Sequence, residues 1–227
     1  MAATLLLAGA SDLAAQLPGR TQPPPPVLRQ RSRLFSPLDL GMLEAPDREA
    51  WGKPDLIMDL LGIADGSVVA DLGAGGGWFT VRLARRVGPR GIVYAEDIQR
   101  QMVEVIKRRV QREGLHNVVT LLGTASNPNL PPGLDAVLIV DAYHEIEDPV
   151  ALLANVARSL KPQGRIGVVD FKPGGGGPGP RPEERVTPDT VRRDAELAGL
   201  VVSPTEDVPP FQYALVLTRG VSGRGDR

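Results

Sequence analysis

The stretch Val68-Val69-Ala70-Asp71-Leu72-Gly73-Ala74-Gly75-Gly76-Gly77 decides how the chain is read. Its first five residues form a short apolar run of the kind found in buried strands. Trp78 to Val87 then carries apolar side chains at helical spacing, up to the stop Gly88-Pro89-Arg90-Gly91. A strand, a glycine loop and a helix therefore follow one another. An acid stands two residues before the first glycine, and Gly73, Gly75 and Gly77 recur at every second position. The dinucleotide fingerprint G-x-G-x-x-G needs its third glycine where this chain has Trp78, because a pyrophosphate must reach the amino end of the helix. The loop suits a ligand that approaches glycine backbone closely and offers positive charge to Asp71.

Outward from the loop the alternation repeats. Ile92-Val93-Tyr94-Ala95 reads as a second strand, and Gln99 to Glu113 as a helix with Met102, Val103, Ile106 and Val110 inward. Arg108, Arg109 and Arg112 fall on its polar side, as a solvated face in preference to a nucleic-acid patch. Val118 to Leu122 and Asp135 to Val140 are further strands, joined by the Pro- and Asn-rich loop Gly123 to Gly133. Asp148-Pro149 caps a helix whose buried set is Leu152, Leu153, Val156 and Leu160; Lys161-Pro162-Gln163-Gly164 ends it, and Arg165 to Phe171 is a fifth strand. Thr187-Pro188 starts a helix running to Gly199, and Leu200 to Ser203 and Phe211 to Thr218 pair antiparallel. Upstream, Lys53-Pro54-Asp55 opens a helix with Leu56, Ile57, Leu60 and Leu61 as its apolar stripe. This pattern predicts an α/β, Rossmann-like three-layer sandwich: a seven-stranded, mostly parallel sheet with an antiparallel C-terminal hairpin, over residues 47–219.

The 227 residues accommodate one such domain and an appendage. With 26 Lys and Arg against 27 Asp and Glu, the formal net charge of -1 disfavours a polyanionic partner, so no nucleic acid is expected. The absence of cysteine removes disulfides and thiolate chemistry, and two separated histidines, His116 and His144, predict no metal site. No run reaches the roughly 20 apolar residues of a membrane span. Residues 1–46 read as a flexible segment. Pro23 to Pro26 imposes polyproline conformation there, and Leu5 to Ala10 followed by Leu13-Ala14-Ala15-Gln16 resembles a degenerate export signal without basic residues. A cytoplasmic location is expected, with export as the alternative. Residues 220–227 form a charged tail.

Val69 to Gly77 resembles the first motif of the class I S-adenosylmethionine (SAM)-dependent methyltransferase family. Val93-Tyr94-Ala95-Glu96-Asp97-Ile98 resembles that family's second strand, whose terminal acid receives both ribose hydroxyls; Asp97 matches best and Glu96 is the alternative. The family usually has an Asp beside the adenine at the end of the third strand, where this chain has Gly123-Thr124-Ala125. Thr124 and the Ala125 backbone are the substitutes. The resemblance implies SAM as cofactor, with Asp71, Gly73, Gly75, Gly77, Asp97, Thr124 and Ala125 holding it and Asp71 meeting the ammonium. The NAD alternative is disfavoured by Trp78, and a non-catalytic binding module on the same fold is the other alternative.

Methyl transfer is an in-line displacement, so alignment supplies most of what a protein must contribute. Asp135 to Asp141 resembles the strand that faces the transferable methyl, and Asp141, Tyr143 and His144 after it are the catalytic candidates. His144 has the intrinsic pKa of a base near neutrality; the alternative is that His144 and Glu145 only cap or pack their loop. Trp51, Trp78 and Phe79 shield a sulfonium or belong to the core. Lys172 and the glycine-rich segment after it are a lid or a surface loop. A small-molecule acceptor is expected, since the chain lacks a basic surface and the Asn/Asp-Pro-Pro-Tyr tetrapeptide of relatives that methylate amino groups of nucleic acids and proteins.

Overall fold

The structure is a computed structural model that describes residues 34–220. The export-like run, the proline run and most of the charged tail lie outside the described residues. Among those described, the helices are α1 (Arg48–Gly52), α2 (Pro54–Leu60), α3 (Trp78–Val87), α4 (Arg100–Arg112), α5 (Pro149–Ser159) and α6 (Pro188–Leu197). The strands are β1 (Val68–Leu72), β2 (Ile92–Asp97), β3 (Val118–Leu122), β4 (Leu134–Val140), β5 (Leu160–Phe171), β6 (Leu200–Val202), β7 (Glu206–Val208) and β8 (Gln212–Arg219). Local chemistry sets several boundaries. Gly77, at φ +76°, caps the amino end of α3. The Asp148 side chain accepts from the Ala151 N–H, and that of Thr187 from Thr190, with proline at the first turn of both following helices.

The main path of the sheet runs β3-β2-β1-β4-β5-β8-β6. β1 to β5 are parallel, and β8 inserts antiparallel between β5 and β6. The expected sheet is present along this path. Two details differ from the expectation. The segment between the last two predicted strands contains a short strand of its own, β7, which pairs with Gln212 to Ala214 of β8 and makes the sheet eight-stranded. β5 also begins at Leu160, because Leu134 pairs with Leu160 and the register then shifts so that Ala136 pairs with Arg165. Lys161 to Gly164 fill that irregularity instead of ending the helix.

Alternate residues of each central strand enter opposite cores, as a sheet covered on both faces requires. Ala70, Val137, Ile139, Val168 and Leu215 pack with Leu153 and Val156 of α5 and Val191 of α6. Val69, Leu138, Val169 and Ala214 pack with Ile57 of α2 and with Phe79 and Leu83 of α3. The strand order reverses direction between β1 and β4, and the crevice at their carboxyl ends is where such sheets bind ligands. Leu215 is fully buried on β8, opposite Val168. Leu215→Ala should cost about 2–5 kcal/mol, read as a lower denaturant midpoint with an unchanged slope; a loss under about 0.5 kcal/mol would show that β8 is not integral to the core.

Candidate active site

A cavity of about 440 Å³ opens at the carboxyl ends of β1, β2 and β4. Its floor is the glycine loop. Gly73 has φ +71° and a Cβ there would lie 2.8 Å from that of Ala142, while Gly75 has φ +53°; both positions require glycine. The backbone N–H of Gly75 donates to Asp97 Oδ2 (3.0 Å), and that of Gln99 to Oδ1 (2.8 Å), so the loop is tied to the end of β2. Gly77 departs from its expected role. It is absent from the cavity lining and turns the chain into α3 against Ile106, whereas Gly76 lines the cavity.

Asp71, Glu96 and Asp97 are all buried around this floor. Asp71 accepts a 2.6 Å bond from the Thr80 hydroxyl, but burial still pushes its pKa up to about 6. Glu96 receives only a 3.4 Å contact from the Gly73 N–H through Oε2, and its Oε1 has no protein partner. Burial, reinforced by Asp97, raises Glu96 to about 8, so the neutral acid predominates at pH 7. A Cβ at Gly123 would fall 1.7 Å from Glu96 Oε1. The glycine that stands where the family has an acid is thus the residue that leaves room for the Glu96 carboxyl. Thr124 and Ala125 line the cavity as expected, with the Thr124 hydroxyl also engaged at 3.1 Å by the Asn127 backbone N–H and carbonyl.

Past β4 the three catalytic candidates diverge. Asp141, at φ +54°, is largely but not fully buried and paired with Arg48 at 3.4 Å and with Gln212 Nε2 at 2.5 Å; burial lifts its pKa to about 6 against the pull of Arg48. Tyr143 is a correction. Its ring is fully buried in the core beside α5 and α6 and its hydroxyl is 3.1 Å from Asp194, so it does not line the cavity. His144, its neighbour on a one-turn 3-10 helix, points the other way and does line it. Nδ1 of His144 lies 3.1 Å from both carboxylate oxygens of Asp170, and Nε2 lies 3.8 Å from Glu145. Burial opposes a charge on this ring, but the hydrogen bond and charge of Asp170 outweigh it and hold the pKa above the ordinary histidine value.

Sequence reasoning passed over Arg48, Gln212 and Asp170. A signal for Asp170 exists: like Asp71, Asp97 and Asp141, it is an acid at the carboxyl end of a parallel strand. Residues 34–46, placed ahead of the domain by their composition, also reach the site. Pro37–Glu44 forms a 3-10 helix, the Phe35 N–H donates to Glu145 (3.0 Å), and Gln99 donates to the Phe35 carbonyl (2.9 Å). Arg109 joins Glu44 (2.8 Å) to the Gly76 carbonyl (2.8 Å), so this arginine of the polar face of α4 is structural. Arg48 lies over the Trp78 ring at 4.5 Å, which occupies that aromatic face; Trp51 lines the cavity against Phe171, with a buried indole N–H that has no protein partner.

Comparison with known proteins bears on the domain and its fold. Residues 69–164 match the family model described as a methyltransferase domain. The chain is 34% identical over 130 residues to nocamycin O-methyltransferase of Saccharothrix syringae, covering 57% of this chain and 44% of that protein. It is 31% identical over 115 residues to demethylmenaquinone methyltransferase of Geobacillus stearothermophilus, covering 50% and 48%. The match thus spans less than half the length of either relative. The crystal structure of a SAM-dependent methyltransferase from Aquifex aeolicus superposes with a TM-score of 0.77 at 29% identity, over 81% of this chain and 98% of that one. Fold and glycine loop together define a nucleoside-binding α/β transferase domain. Residues 69–164 carry a methyltransferase domain, and the chain is similar in sequence and fold to class I SAM-dependent methyltransferases.

That family's cofactor is SAM, and the residues present fit it. Among the described residues, the cavity lining holds Glu44, Asp71, Glu96, Asp97, Asp141, Glu145, Glu147 and Glu184 against one arginine, Arg48, and one histidine. Such a donor set favours a ligand bearing ammonium and sulfonium charges. The cradle that a Cβ at Gly73 would fill and the unpartnered Oε1 of Glu96 point the same way. A pH effect follows from Glu96. Unfolded, it gives up its proton near 4.5; folded, it keeps it to about 8, so stability falls as pH rises across that window. From about 6 to about 8, where Asp71 has already ionised, Glu96→Gln should lose less thermal midpoint than the native chain. Parallel losses would show that Glu96 carries no proton.

Proposed function

We propose that the chain transfers a methyl group from SAM to a small-molecule acceptor, with His144 receiving the acceptor's proton. What supports this reading is one continuous cavity that joins the Gly73-to-Gly76 loop and Asp97 to His144, with aromatic wall from Trp51, Phe79 and Phe171. Asp97 takes the ribose hydroxyls, Asp71 the ammonium, and Thr124 with Ala125 the adenine edge. When bound, SAM supplies an electrophilic methyl carbon whose bond electrons return to sulfur as the acceptor's lone pair forms the new bond. The protein's own part is alignment, exclusion of water and custody of one proton.

The relatives named as O-methyltransferase and demethylmenaquinone methyltransferase both point to small-molecule acceptors. Among the described residues no helix is long and apolar enough to cross a membrane. Supply of SAM favours a cytoplasmic location. The acidic lining opposes acceptors that arrive as anions, whose burial among like charges is costly.

Calorimetry with SAM and with NAD tests the cofactor. SAM should bind the native chain, and Asp97→Ala should weaken that binding by about tenfold or more, equivalent to about 1.4 kcal/mol, with the far-ultraviolet spectrum retained. Binding of NAD in place of SAM would overturn the reading. Unchanged SAM affinity in Asp97→Ala would remove the ribose contact from Asp97.

A further inference from the structure

We propose that Asp170 is the positioning residue of the site: it fixes His144 as the Nδ1–H tautomer, so that Nε2 takes the proton of a hydroxyl or amine acceptor. The inference rests on the functional reading above.

The carboxylate of Asp170 is fully buried near the end of β5 and is held from two sides. Oδ1 accepts the Phe171 N–H at 2.8 Å and Oδ2 accepts the His144 N–H at 3.1 Å. These two backbone donors belong to different segments and prevent the carboxylate from turning. The same two oxygens stand 3.1 Å from Nδ1, so His144 is gripped through both its backbone and its ring. An ionised carboxylate can only accept, which requires the proton on Nδ1 and leaves the lone pair of the neutral ring on Nε2. That is the tautomer a base facing the cavity needs.

A capping role alone does not account for this arrangement. A loop cap needs one short polar side chain at the surface, whereas here an ionisable carboxyl is taken wholly out of water, which is costly unless a cation balances it. The imidazolium that forms when His144 takes the acceptor's proton is such a cation. Among the described residues, the carboxyl groups that act on the ring besides Asp170 are Glu145 on the same turn, Asp141 at the end of β4, and Glu184 in the segment before α6. Arg48 is paired with Asp141. Every one of these carboxylates favours the protonated ring over the neutral one, so His144 is primed to receive a proton. The acceptor gives that proton to Nε2, keeps the freed electron pair for the new bond to carbon, and Nδ1–H stays on Asp170 throughout.

The chain has two histidines, and His116 is exposed beyond α4, so its imidazole serves as an internal reference. Nitrogen NMR of the full chain, labelled at histidine and without ligand, reads tautomer and titration of both rings. His144 should be the Nδ1–H form when neutral and titrate above the ordinary histidine value. In Asp170→Asn its midpoint should fall by about one pH unit, a tenfold loss of proton affinity, with His116 unmoved. Asp170→Glu should recover part of the shift. An Nε2–H tautomer in the native chain, or an unmoved midpoint in Asp170→Asn, would overturn the proposal. If Asp170→Asn does not fold, the native tautomer decides alone. Because no methyl transfer enters the measurement, its outcome is independent of whether the functional reading holds.

Discussion

Carboxyl groups crowd one edge of the sheet. Asp71, Glu96, Asp97, Asp141 and Asp170 all stand where β1, β2, β4 and β5 end, and all five are withdrawn from water to a large extent. Gathered like charges of this kind raise one another's free energy, and the local structure is organised around containing them. Each acid meets a different solution. Asp71 has the Thr80 hydroxyl, Asp97 has two backbone N–H groups, Asp141 has Arg48 and Gln212, and Asp170 has His144 with two backbone donors. Glu96 has least, and holds a proton instead.

This containment explains why the glycine loop takes its shape. A loop with side chains at Gly73 and Gly75 would neither reach left-handed backbone without strain nor bring its N–H groups onto the acids of β2. The same containment makes the cavity receptive to a cationic ligand, since such a ligand relieves repulsion that protein groups leave in place. Binding and fold are coupled through one electrostatic fact.

Much of the architecture was legible in the sequence because buried parallel strands are continuous apolar runs and the helices between them carry clean caps. β1, α3 and β3 fall where periodicity and the flanking glycines put them. β7 was not legible: Glu206–Val208 is three residues with two acids, and its pairing with β8 depends on tertiary geometry alone. The glycine-loop side of the cavity was readable because the residues that line it lie in contiguous motifs. The His144 side was not. Arg48, Gln212 and Asp170 are brought to Asp141 and His144 from distant parts of the chain, with no spacing to betray them. Tyr143 and His144 are adjacent in sequence, yet a single 3-10 turn sends one into the core and the other into the cavity. Residues 34–46 contact the site through backbone groups and the salt-linked side chain of Glu44, which leave no apolar period to read.

The placement of β8 bears on how the molecule comes into being. It is the last described strand in chain order, yet it lies inside the sheet, between β5 and β6. During synthesis β6 can join the sheet only after β8 has left the ribosome and slotted in beside β5. Gln212, which opens β8, is also the residue that reaches Asp141. A nascent chain therefore carries its glycine loop early but closes the Asp141 side of the cavity only with β8. A chain cut short ahead of residue 212 would lose sheet and site together.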